Sequence, residues 1–376
     1  MKILIAPDKF KGSLTAAQVC NAIEKGILKS YPDTHITKIP LADGGEGSLE
    51  SLESSLNFDR IEIKVHDPLF RPINSFYGIK NNTAYIEMAL ASGLPLLNED
   101  DRNPMFTTSL GTGELILDAV KRGVESIYLF IGGSATNDCG IGIASALGYR
   151  FFDAEGNELK PIGGNLKKVK VIASSKAIEL SGVNFIVLTD VLNPLFGNNG
   201  AAYVFSPQKG ASKKGVIELD EGLRNFSDVI KKTFGKDISQ IPGSGAAGGI
   251  GGGAVAFCNA EIKSGIESIL DMLNIDKLIG KSDLIITGEG LFDKQTLEGK
   301  VVKGIMDRCK HFNKPLGIIC GDIKLDNSHK KEIYYNILKS IRVGEMSKDE
   351  SMSNAFEYLV DRAEELITEY QSSLTK

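Results

Sequence analysis

The sequence has few of the residues that build disulfide or histidine-centred sites. Its five cysteines are odd in number, widely spaced and form no CxxC pair: Cys20, Cys139, Cys258, Cys309 and Cys320. This pattern argues against a disulfide framework and a thiolate zinc site, so we expect mostly small core residues. The four histidines lie outside the glycine-rich and acidic loops described below: His35, His66, His311 and His329. A histidine-based nucleophile or metal site is therefore not expected.

The chain of 376 residues also lacks an excess of positive charge and a long apolar run. Its formal net charge is -5 and its pI is about 5.6, which gives no electrostatic footprint for nucleic acid or an anionic membrane. The apolar run at the N-terminus is too short for a signal peptide, and no later stretch approaches the roughly 20 apolar residues of a membrane span. The sequence predicts a cytoplasmic protein that binds neither nucleic acid nor a membrane.

Strand and helix patterns alternate at both ends of the chain. The predicted strands there are Lys2 to Ala6, His35 to Ile39, Asp283 to Thr287 and Leu316 to Cys320. The predicted helices are one from Leu14, with Thr15 and Gln18 forming a capping box, then Ser48 to Leu56, Ile266 to Ile279 and Asn354 to Tyr370. Such alternation implies a parallel sheet, whose ligands bind at the carboxyl ends of the strands.

The pattern changes from Arg60, where two alternating strands flank a proline-containing turn from Asp67 to Pro72. A chain of this length exceeds what one core usually supports. The predicted class is α/β, with a flavodoxin- or Rossmann-like parallel-sheet domain built from residues 1–59 and 262–376. A second α/β domain with a mixed sheet, residues 60–261, is inserted into it.

Glycine recurs in five segments, and all but the fourth also carry an acidic residue: LADGGEG (41–47), GGSATNDCG (132–140), TDVLNPLFG (189–197), GSGAAGGIGGG (243–253) and TGEGLFDKQT (287–296). Glycine lets the backbone approach a ligand closely, and short acids and amides coordinate cations or position hydroxyl groups. Such clusters favour a site for a polyanion and a metal ion. A phosphoryl-transfer enzyme is the first candidate.

A sixth segment, PDKFKGS, places Asp8, Lys9, Lys11 and Ser13 between a strand and a helix N-terminus. Backbone N–H groups and two ammonium groups could hold a phosphate or a substrate carboxylate there. A solvated turn with a serine cap would be as well supported if this loop stood alone. The spacing does not match GxxxxGK[ST], so a P-loop is not predicted.

Three segments follow predicted strands and offer acids. LADGGEG contributes Asp43 and Glu46, and Asp190 follows the strand FIVLT in the manner of a metal-holding acid. TGEGLFDKQTLEGK contributes several polar side chains: Glu289, Asp293, Gln295, Thr296 and Lys300. Acids at several strand ends suit Mg²⁺ that is held mainly through substrate phosphates and water.

Two segments are rich in small residues. GGSATNDCG follows the strand SIYLFI and carries Ser134, Thr136, Asn137 and Asp138. GSGAAGGIGGG contains GxGxxG but follows no apolar strand, so the dinucleotide-binding context is missing. The remaining alternatives are a phosphate-cradling turn that leads into residues 254–260 and a flexible linker.

These segments, in this order, resemble the bacterial glycerate kinase family with two α/β domains. The resemblance extends through PDKFKGSLTA, LADGGEG, IEMALASGL, RNPMFTTSLGTGELI, GGSATNDCGIG, DVLNPLFGNNGAAYVFSPQKGA, PGSGAAGGIGGG and TGEGLFDKQTLEGK. It implies a flavodoxin-like domain interrupted by a second domain, and transfer of the γ-phosphoryl group of ATP to glycerate with Mg²⁺. Two departures are Cys139, where the family usually has glycine, and Leu291, where arginine usually follows TGEG.

The roles expected from position, chemistry and this resemblance form four groups. The catalytic candidates are Asp190, preferred as the base, Asp43 as the second choice, and Lys11. The substrate-binding candidates are Asp8, Lys9, Ser13 and Arg102. The nucleotide and phosphate candidates are Ser134, Thr136, Asn137, Asp138, Gly243, Ser244, Gly245, Gly248 and Lys300. The metal candidates are Glu289, Asp293 and Asp190.

The expected cofactors are ATP and Mg²⁺, the expected product is 2-phosphoglycerate or its 3-phosphate isomer, and the protein is expected to be a monomer or homodimer. Two other functions stay open at this point. GSGAAG leaves a dinucleotide-dependent oxidoreductase as the enzymatic alternative. A non-catalytic organic-acid-binding protein is the alternative without turnover.

Overall fold

The structure is a computed structural model and describes residues 1–42, 44–45, 47–298, 300–325, 333–344 and 346–374. The chain divides into two compact units. The terminal unit comprises Met1–Asp43, Glu50–Asn57 and Ile266–Lys376, and the inserted unit comprises Gly44–Leu49 and Phe58–Gly265. Among the described residues, no helix combines the length and apolarity that a membrane span needs.

The strands in chain order are β1 (Lys2–Ile5), β2 (His35–Lys38), β3 (Asp59–His66), β4 (Pro72–Lys80), β5 (Thr83–Glu87), β6 (Ser126–Phe130), β7 (Arg150–Phe152), β8 (Val171–Ala173), β9 (Asn184–Leu188), β10 (Glu261–Lys263), β11 (Leu284–Phe292), β12 (Leu316–Ile323) and β13 (Ile337–Ser340).

The α-helices are α1 (Ala16–Ser30), α2 (Ser48–Leu56), α3 (Ala89–Ser92), α4 (Leu110–Lys121), α5 (Ile141–Ala146), α6 (Ala201–Phe205), α7 (Lys213–Phe234), α8 (Ala246–Cys258), α9 (Gly265–Met272), α10 (Ile275–Lys281), α11 (Val301–His311), α12 (Lys348–Ser353) and α13 (Ala355–Leu374). Short 3₁₀ turns lie at Leu94–Leu96, Glu99–Asp101, Gly163–Lys168, Pro207–Lys209 and Gln295–Glu298.

The sheet of the terminal unit is parallel, with strand order β13-β12-β11-β1-β2. Counted within this unit the order is 2-1-3-4-5, which is the flavodoxin-like arrangement. Apolar side chains of β1, β11 and β12 pack against α1 and α13 in one core. The predicted capping box at the start of α1 is confirmed, since the Gln18 backbone N–H donates to Thr15 Oγ1 and the Gln18 side chain accepts from the Thr15 N–H. The predicted fold class is confirmed.

The main sheet of the inserted unit is mixed, with strand order β10-β9-β6-β5-β4-β3. The pairs β3–β4 and β4–β5 are antiparallel, whereas β5, β6, β9 and β10 run parallel. A separate antiparallel pair joins β7 and β8. Helices α4, α5, α7 and α8 contribute to the core, where Phe257 contacts the rings of Tyr149, Phe151, Phe226 and Phe234.

Two element predictions at the C-terminal end are wrong in their bounds. The strand predicted to end at Thr287 continues to Phe292, because β11 pairs with β12 through residue 292. Glycine permits this pairing, since a Cβ atom on Gly288 would lie 1.9 Å from the Ile319 carbonyl oxygen. The single helix predicted over Ile266 to Ile279 is two helices, separated at Asn274, whose φ is +51°.

The glycine-rich segment is a buried, kinked backbone that leads into a helix, so the flexible-linker alternative is wrong. Ala247, Gly248 and Gly249 at the start of α8 adopt left-handed, non-helical conformations. A Cβ atom on Gly253 would lie 2.1 Å from the Cys139 carbonyl oxygen. The absence of side chains therefore lets the helix lie directly against the backbone of another loop. The expectation that the cysteines are core residues is confirmed, because all five are buried and free.

Candidate active site

The four parallel strands of the inserted unit end at one edge of its sheet, and a polar residue follows or ends three of them. Glu87 is the last residue of β5, and Gly132 follows β6. Asp190 follows β9, and Ser264 follows β10. The carboxyl ends of parallel strands are where α/β sheets bind ligands. This edge is the candidate site of the inserted unit.

Glu87 holds the loop that precedes α2, and sequence reasoning missed it. Its side chain is 1% exposed and accepts hydrogen bonds from the backbone N–H groups of Gly47 (2.8 Å) and Leu49 (2.9 Å). A Cβ atom on Gly132 would lie 2.5 Å from the Gly45 Cα, so this loop also packs against the segment after β6. The signal in the sequence was an acid at the end of an otherwise apolar strand.

Asp190 is fixed by the segment after β10. Its Oδ1 accepts hydrogen bonds from Ser264 Oγ at 2.7 Å and from the backbone N–H of Gly265, the first residue of α9, at 2.9 Å. A Cβ atom on Gly44 would lie 3.7 Å from the Gly265 Cα, which brings the loop after β2 to the same place. Asp43, the second candidate base, lies outside the described residues. The two hydrogen bonds to Oδ1 therefore fix the orientation of the Asp190 carboxylate.

Asp138 is turned into the protein and stabilises its own loop. It is fully buried, and its carboxylate accepts from the N–H and Oγ of Ser109, both at 2.8 Å, and from the Gly140 N–H at 3.1 Å. Burial raises the pKa of this carboxyl, and the hydrogen bonds from Ser109 and Gly140 oppose the rise. The geometry gives Asp138 a role in shaping the loop that carries the other candidates.

Three neighbouring polar side chains are fully buried and lack hydrogen-bond partners within the described part of the chain. They are Thr136 at Oγ1, Asn137 at both amide atoms, and Ser244 at Oγ. Helix α8 joins the two segments, since a Cβ atom on Gly248 would lie 2.1 Å from the Thr136 carbonyl oxygen and 2.6 Å from the Asn137 Cα. Buried polar groups are nearly always satisfied by protein, water or ligand. We call Thr136, Asn137 and Ser244 the polar cluster.

The two remaining glycines predicted for phosphate binding also serve close packing. Gly245 lies against Pro194, whose carbonyl oxygen would be 2.1 Å from an added Cβ atom. Gly243 has a φ of +84°, and its carbonyl oxygen would lie 2.2 Å from a Cβ atom on Gly251. These approaches position Ser244 between two fixed glycines.

Lys209 is a buried cation beside the polar cluster, and it was also missed. Its Nζ donates to Ser134 Oγ at 2.8 Å and to the Thr136 carbonyl oxygen at 2.7 Å. Burial lowers the pKa of this ammonium to about 7, and the charge of Asp138 acts in the opposite direction. Lysine is rarely buried without a function or a partner. The signal in the sequence is the lysine of SPQKGA, which lies within one of the segments that carry the family resemblance.

Arg102 lies next to the Lys209 segment. Its main chain closely abuts Gly210, where an added Cβ atom would be 2.0 Å from the Arg102 carbonyl oxygen. Its side chain approaches Glu99 at 4.0 Å, and its buried Nε finds no acceptor among the described residues. A guanidinium group with a buried unused donor remains suited to a carboxylate or phosphate.

Acidic residues gather at the edge of the terminal sheet where its strand order reverses, between β1 and β11. Glu289 in β11 is 7% exposed and its Oε1 has no partner among the described residues. Burial raises the pKa of Glu289 to about 7; the charges of Asp8 and Asp293 raise it further, whereas a hydrogen bond with Thr296 and the charge of Lys300 lower it. The reversal point is where flavodoxin-like sheets bind ligands.

The cationic loop after β1 contacts the same strand. A Cβ atom on Gly290 would lie 3.2 Å from the Lys11 backbone nitrogen, so the loop lies directly against β11. The Lys11 side chain is exposed and Lys9 is half-buried. Ser13 donates its hydroxyl to the Met352 carbonyl oxygen at 2.7 Å. Ser13 therefore anchors the loop, while Lys11 keeps its ammonium at the surface.

The residues at this edge of the terminal sheet suit a cation that is also coordinated by a bound phosphate group. Within the described ranges there is no group of three or more histidine, cysteine, aspartate or glutamate residues that could hold a metal ion. Mg²⁺ commonly uses one or two protein carboxylates and completes its shell with phosphate oxygens and water. The unpartnered oxygen of Glu289 suits that mode of binding.

The two departures from the family pattern have different consequences. Cys139 has a φ of +48°, in the region that favours glycine, so a glycine at this position would relieve strain. Leu291 is 39% exposed and supplies no charge where the pattern has arginine. Lys300, at the N-cap position of α11, is the described cation in this segment that acts on Glu289.

Comparisons with known proteins find relatives along nearly the whole chain. The model of the glycerate kinase family matches residues 3–371. A glycerate 2-kinase of Escherichia coli (strain K12) is 43% identical over 348 residues, which are 91% of each chain. A glycerate kinase of Bacillus subtilis (strain 168) is 40% identical over 369 residues, which are 97% of each chain.

A solved structure extends the similarity to three dimensions. It is a crystal structure from Salmonella typhimurium LT2 of a protein assigned as glycerate kinase 2. The TM-score is 0.88 with 38% sequence identity, and the match covers 100% of each chain. The similarity thus includes both units.

Proposed function

Because the chain belongs to the glycerate kinase family, we propose that it transfers the γ-phosphoryl group of ATP to a hydroxyl group of glycerate, giving ADP and 2-phosphoglycerate. The observation that carries the proposal is the polar cluster beside a buried ammonium group. Two hydroxyl groups, one amide and one cation in a single buried region match the chemistry of a phosphate.

Phosphate binding is assigned to the inserted unit. Thr136 and Ser244 each supply a hydroxyl donor, and Asn137 supplies an amide donor. A buried donor left without an acceptor costs about 1–3 kcal/mol, so a phosphate oxygen that accepts from it recovers that cost. An ordered water molecule would satisfy the same atoms, and the binding experiments below separate the two.

Asp190 is proposed as the base. The glycerate oxygen attacks the γ-phosphorus, the bond from that phosphorus to the β,γ-bridging oxygen breaks, and the hydroxyl proton passes to the Asp190 carboxylate. Ser264 and Gly265 already fix the orientation of this carboxylate through Oδ1. Preset orientation lowers the entropy that must be lost in the transition state. Within the inserted unit, Arg102 is the proposed cation for the glycerate carboxylate, and Lys9 and Lys11 of the terminal unit stay candidates for the same role.

Glu289 and Asp293 of the terminal unit are proposed to hold Mg²⁺ through their carboxylates, and Lys300 of the same unit stays a proposed phosphate-binding residue. When bound, Mg²⁺ would neutralise negative charge on the phosphate oxygens. The proton on Glu289 competes with the metal, because burial keeps its pKa near neutrality. Raising the pH through about 7 therefore prepares this carboxylate for a cation.

A coupled assay tests the proposal. Purified protein with ATP, MgCl₂ and D- or L-glycerate should release ADP only when glycerate is present, and phosphorus NMR of the product identifies the phosphorylated hydroxyl. A doublet from 2-phosphoglycerate is expected, because its phosphate couples to a single proton, whereas a triplet would identify the 3-phosphate isomer. ADP release that is independent of glycerate would overturn the proposal.

A further inference from the structure

Lys209 joins two points of the loop that carries the polar cluster. It is 4% exposed, and its ammonium group bridges the Ser134 hydroxyl and the Thr136 carbonyl oxygen. The intervening Ala135 is held from the other side, since its N–H donates to the Ser92 carbonyl oxygen at 2.9 Å. The ammonium group therefore links the two ends of the segment 134–136. We call these two hydrogen bonds of Lys209 the pin.

The Lys209 segment is itself fixed, so the pin has a rigid base. The Lys209 N–H donates to the Ser206 carbonyl oxygen at 3.0 Å, and Gly210 adopts a φ of +88° in close contact with the Arg102 backbone. An added Cβ atom at position 210 would lie 2.0 Å from the Arg102 carbonyl oxygen, which leaves the segment little room to shift. If the loop of residues 134–136 moved away from Lys209, the ammonium group would stay buried without its acceptors.

The pin acts directly on the proposed phosphate ligands. Thr136 carries the carbonyl oxygen that Lys209 binds and the hydroxyl group that belongs to the polar cluster. Asn137 is the next residue, and Ser134 lies two residues before Thr136. A fixed carbonyl at Thr136 therefore sets the direction in which both cluster side chains leave the backbone.

We propose that Lys209 is a positioning residue, which holds the loop of Ser134, Thr136 and Asn137 in the conformation that binds the phosphates of the nucleotide. The inference rests on the proposed function for the identity of the ligand. The pinning itself rests on the two hydrogen bonds of the ammonium group. It predicts an effect on nucleotide binding that is larger than any effect on glycerate binding.

The test compares Lys209→Met with Lys213→Met, which removes an exposed ammonium group at the start of α7 in the same unit. Steady-state kinetics should show the KM for ATP rising at least ~10-fold in Lys209→Met, because nucleotide binding must then also order the loop. The KM for glycerate should stay within about twofold, and Lys213→Met should match the wild type. An unchanged KM for ATP in a folded Lys209→Met protein would overturn the inference.

A second measurement needs no activity. Amide hydrogen exchange of residues 134–140 in the ligand-free protein should be faster in Lys209→Met than in the wild type and Lys213→Met. Equal exchange would refute the pin, whatever the substrate. If the wild type fails to phosphorylate glycerate but Lys209→Met still exchanges faster than the wild type, the proposed function is refuted and the pin is not.

A further variant covers the case in which Lys209→Met does not fold. Ser134→Ala removes one acceptor of the ammonium group and leaves the buried lysine in place. Its exchange over residues 134–140 should also be faster than in the wild type. If Ser134→Ala exchanges as slowly as the wild type, the hydroxyl contact does not hold the loop and the inference fails.

Discussion

Asp190 is proposed to accept the substrate proton, and substitution by asparagine separates this role from a purely structural one. Asp190→Asn keeps an acceptor oxygen for Ser264 and Gly265, so the fold should survive. Because the amide cannot take up the substrate proton, kcat should fall by about 10²- to 10⁴-fold. Asp228→Asn, at an exposed position in α7, is the matched control and should keep wild-type kcat and melting temperature.

A magnesium titration of the Asp190→Asn variant separates its two candidate roles. A lost base leaves the magnesium requirement unchanged, whereas a lost metal ligand raises the concentration needed for half-maximal rate. Near-wild-type turnover at every magnesium concentration would show that Asp190 only orients the Ser264–Gly265 segment. Asp43 would then become the leading base.

Glu289 should make stability depend on pH. Its folded-state pKa of about 7 lies above the unfolded value, so its contribution to stability is present at acidic pH and is lost as the pH rises through about 7. Glu289→Gln should therefore unfold at a similar denaturant concentration to wild type near pH 4.5. At pH 8 the variant should be more stable by about 2–3 kcal/mol, because its buried side chain carries no charge.

Denaturant unfolding at the two pH values, without nucleotide or metal, measures this difference. The account is contradicted if the stability difference between Glu289→Gln and wild type is the same at both. In the wild type, added Mg²⁺ and ATP should raise stability more at pH 8 than at pH 6, since the ionised carboxylate is the form that binds a cation.

At the scale of elements, the glycines of helix α8 serve close contact with neighbouring backbone and do not serve flexibility. Gly253→Ala should destabilise the protein by about 1–3 kcal/mol, because the new methyl group meets the Cys139 carbonyl oxygen. Gly280→Ala is the matched control, since it lies at an exposed position in α10 with no heavy atom within 4 Å of the added carbon. It should be neutral or stabilising by up to about 1 kcal/mol. Equal melting temperatures for the two variants would contradict close packing of α8.

The sequence predicted the elements whose patterns are local. The capping box at Thr15 and the strands β1, β2, β6, β9 and β12 follow from short-range spacing, and the structure has them. It could not predict that β11 extends to Phe292, because this depends on pairing with β12. Nor could it predict that GSGAAGGIGGG is a buried, kinked entry into α8, because its contacts are with Pro194 and residues 136–139. Both outcomes are set by tertiary neighbours that override local propensity.

At the scale of the whole molecule, the two ends of the chain form one parallel sheet and the middle forms a second, mixed sheet. The alternating β and α patterns at both termini predict the parallel sheet, and the two strands that flank the turn from Asp67 to Pro72 predict the mixed one. The candidate site was predictable where glycine and acid follow a strand, as at Asn137 and Asp190. Glu87 and Lys209 were not, since each becomes notable only through partners that are distant in sequence.

The central claim is that the polar cluster binds the phosphates of ATP, and calorimetric titration with ATP and with adenosine tests it most directly. The wild type should bind ATP far more tightly than adenosine. The double variant Asn137→Ala/Ser244→Ala should lose about 100-fold in ATP affinity, as expected for two contacts to a charged group, with little change for adenosine. A folded double variant that keeps the wild-type ratio of ATP to adenosine affinity would contradict the claim.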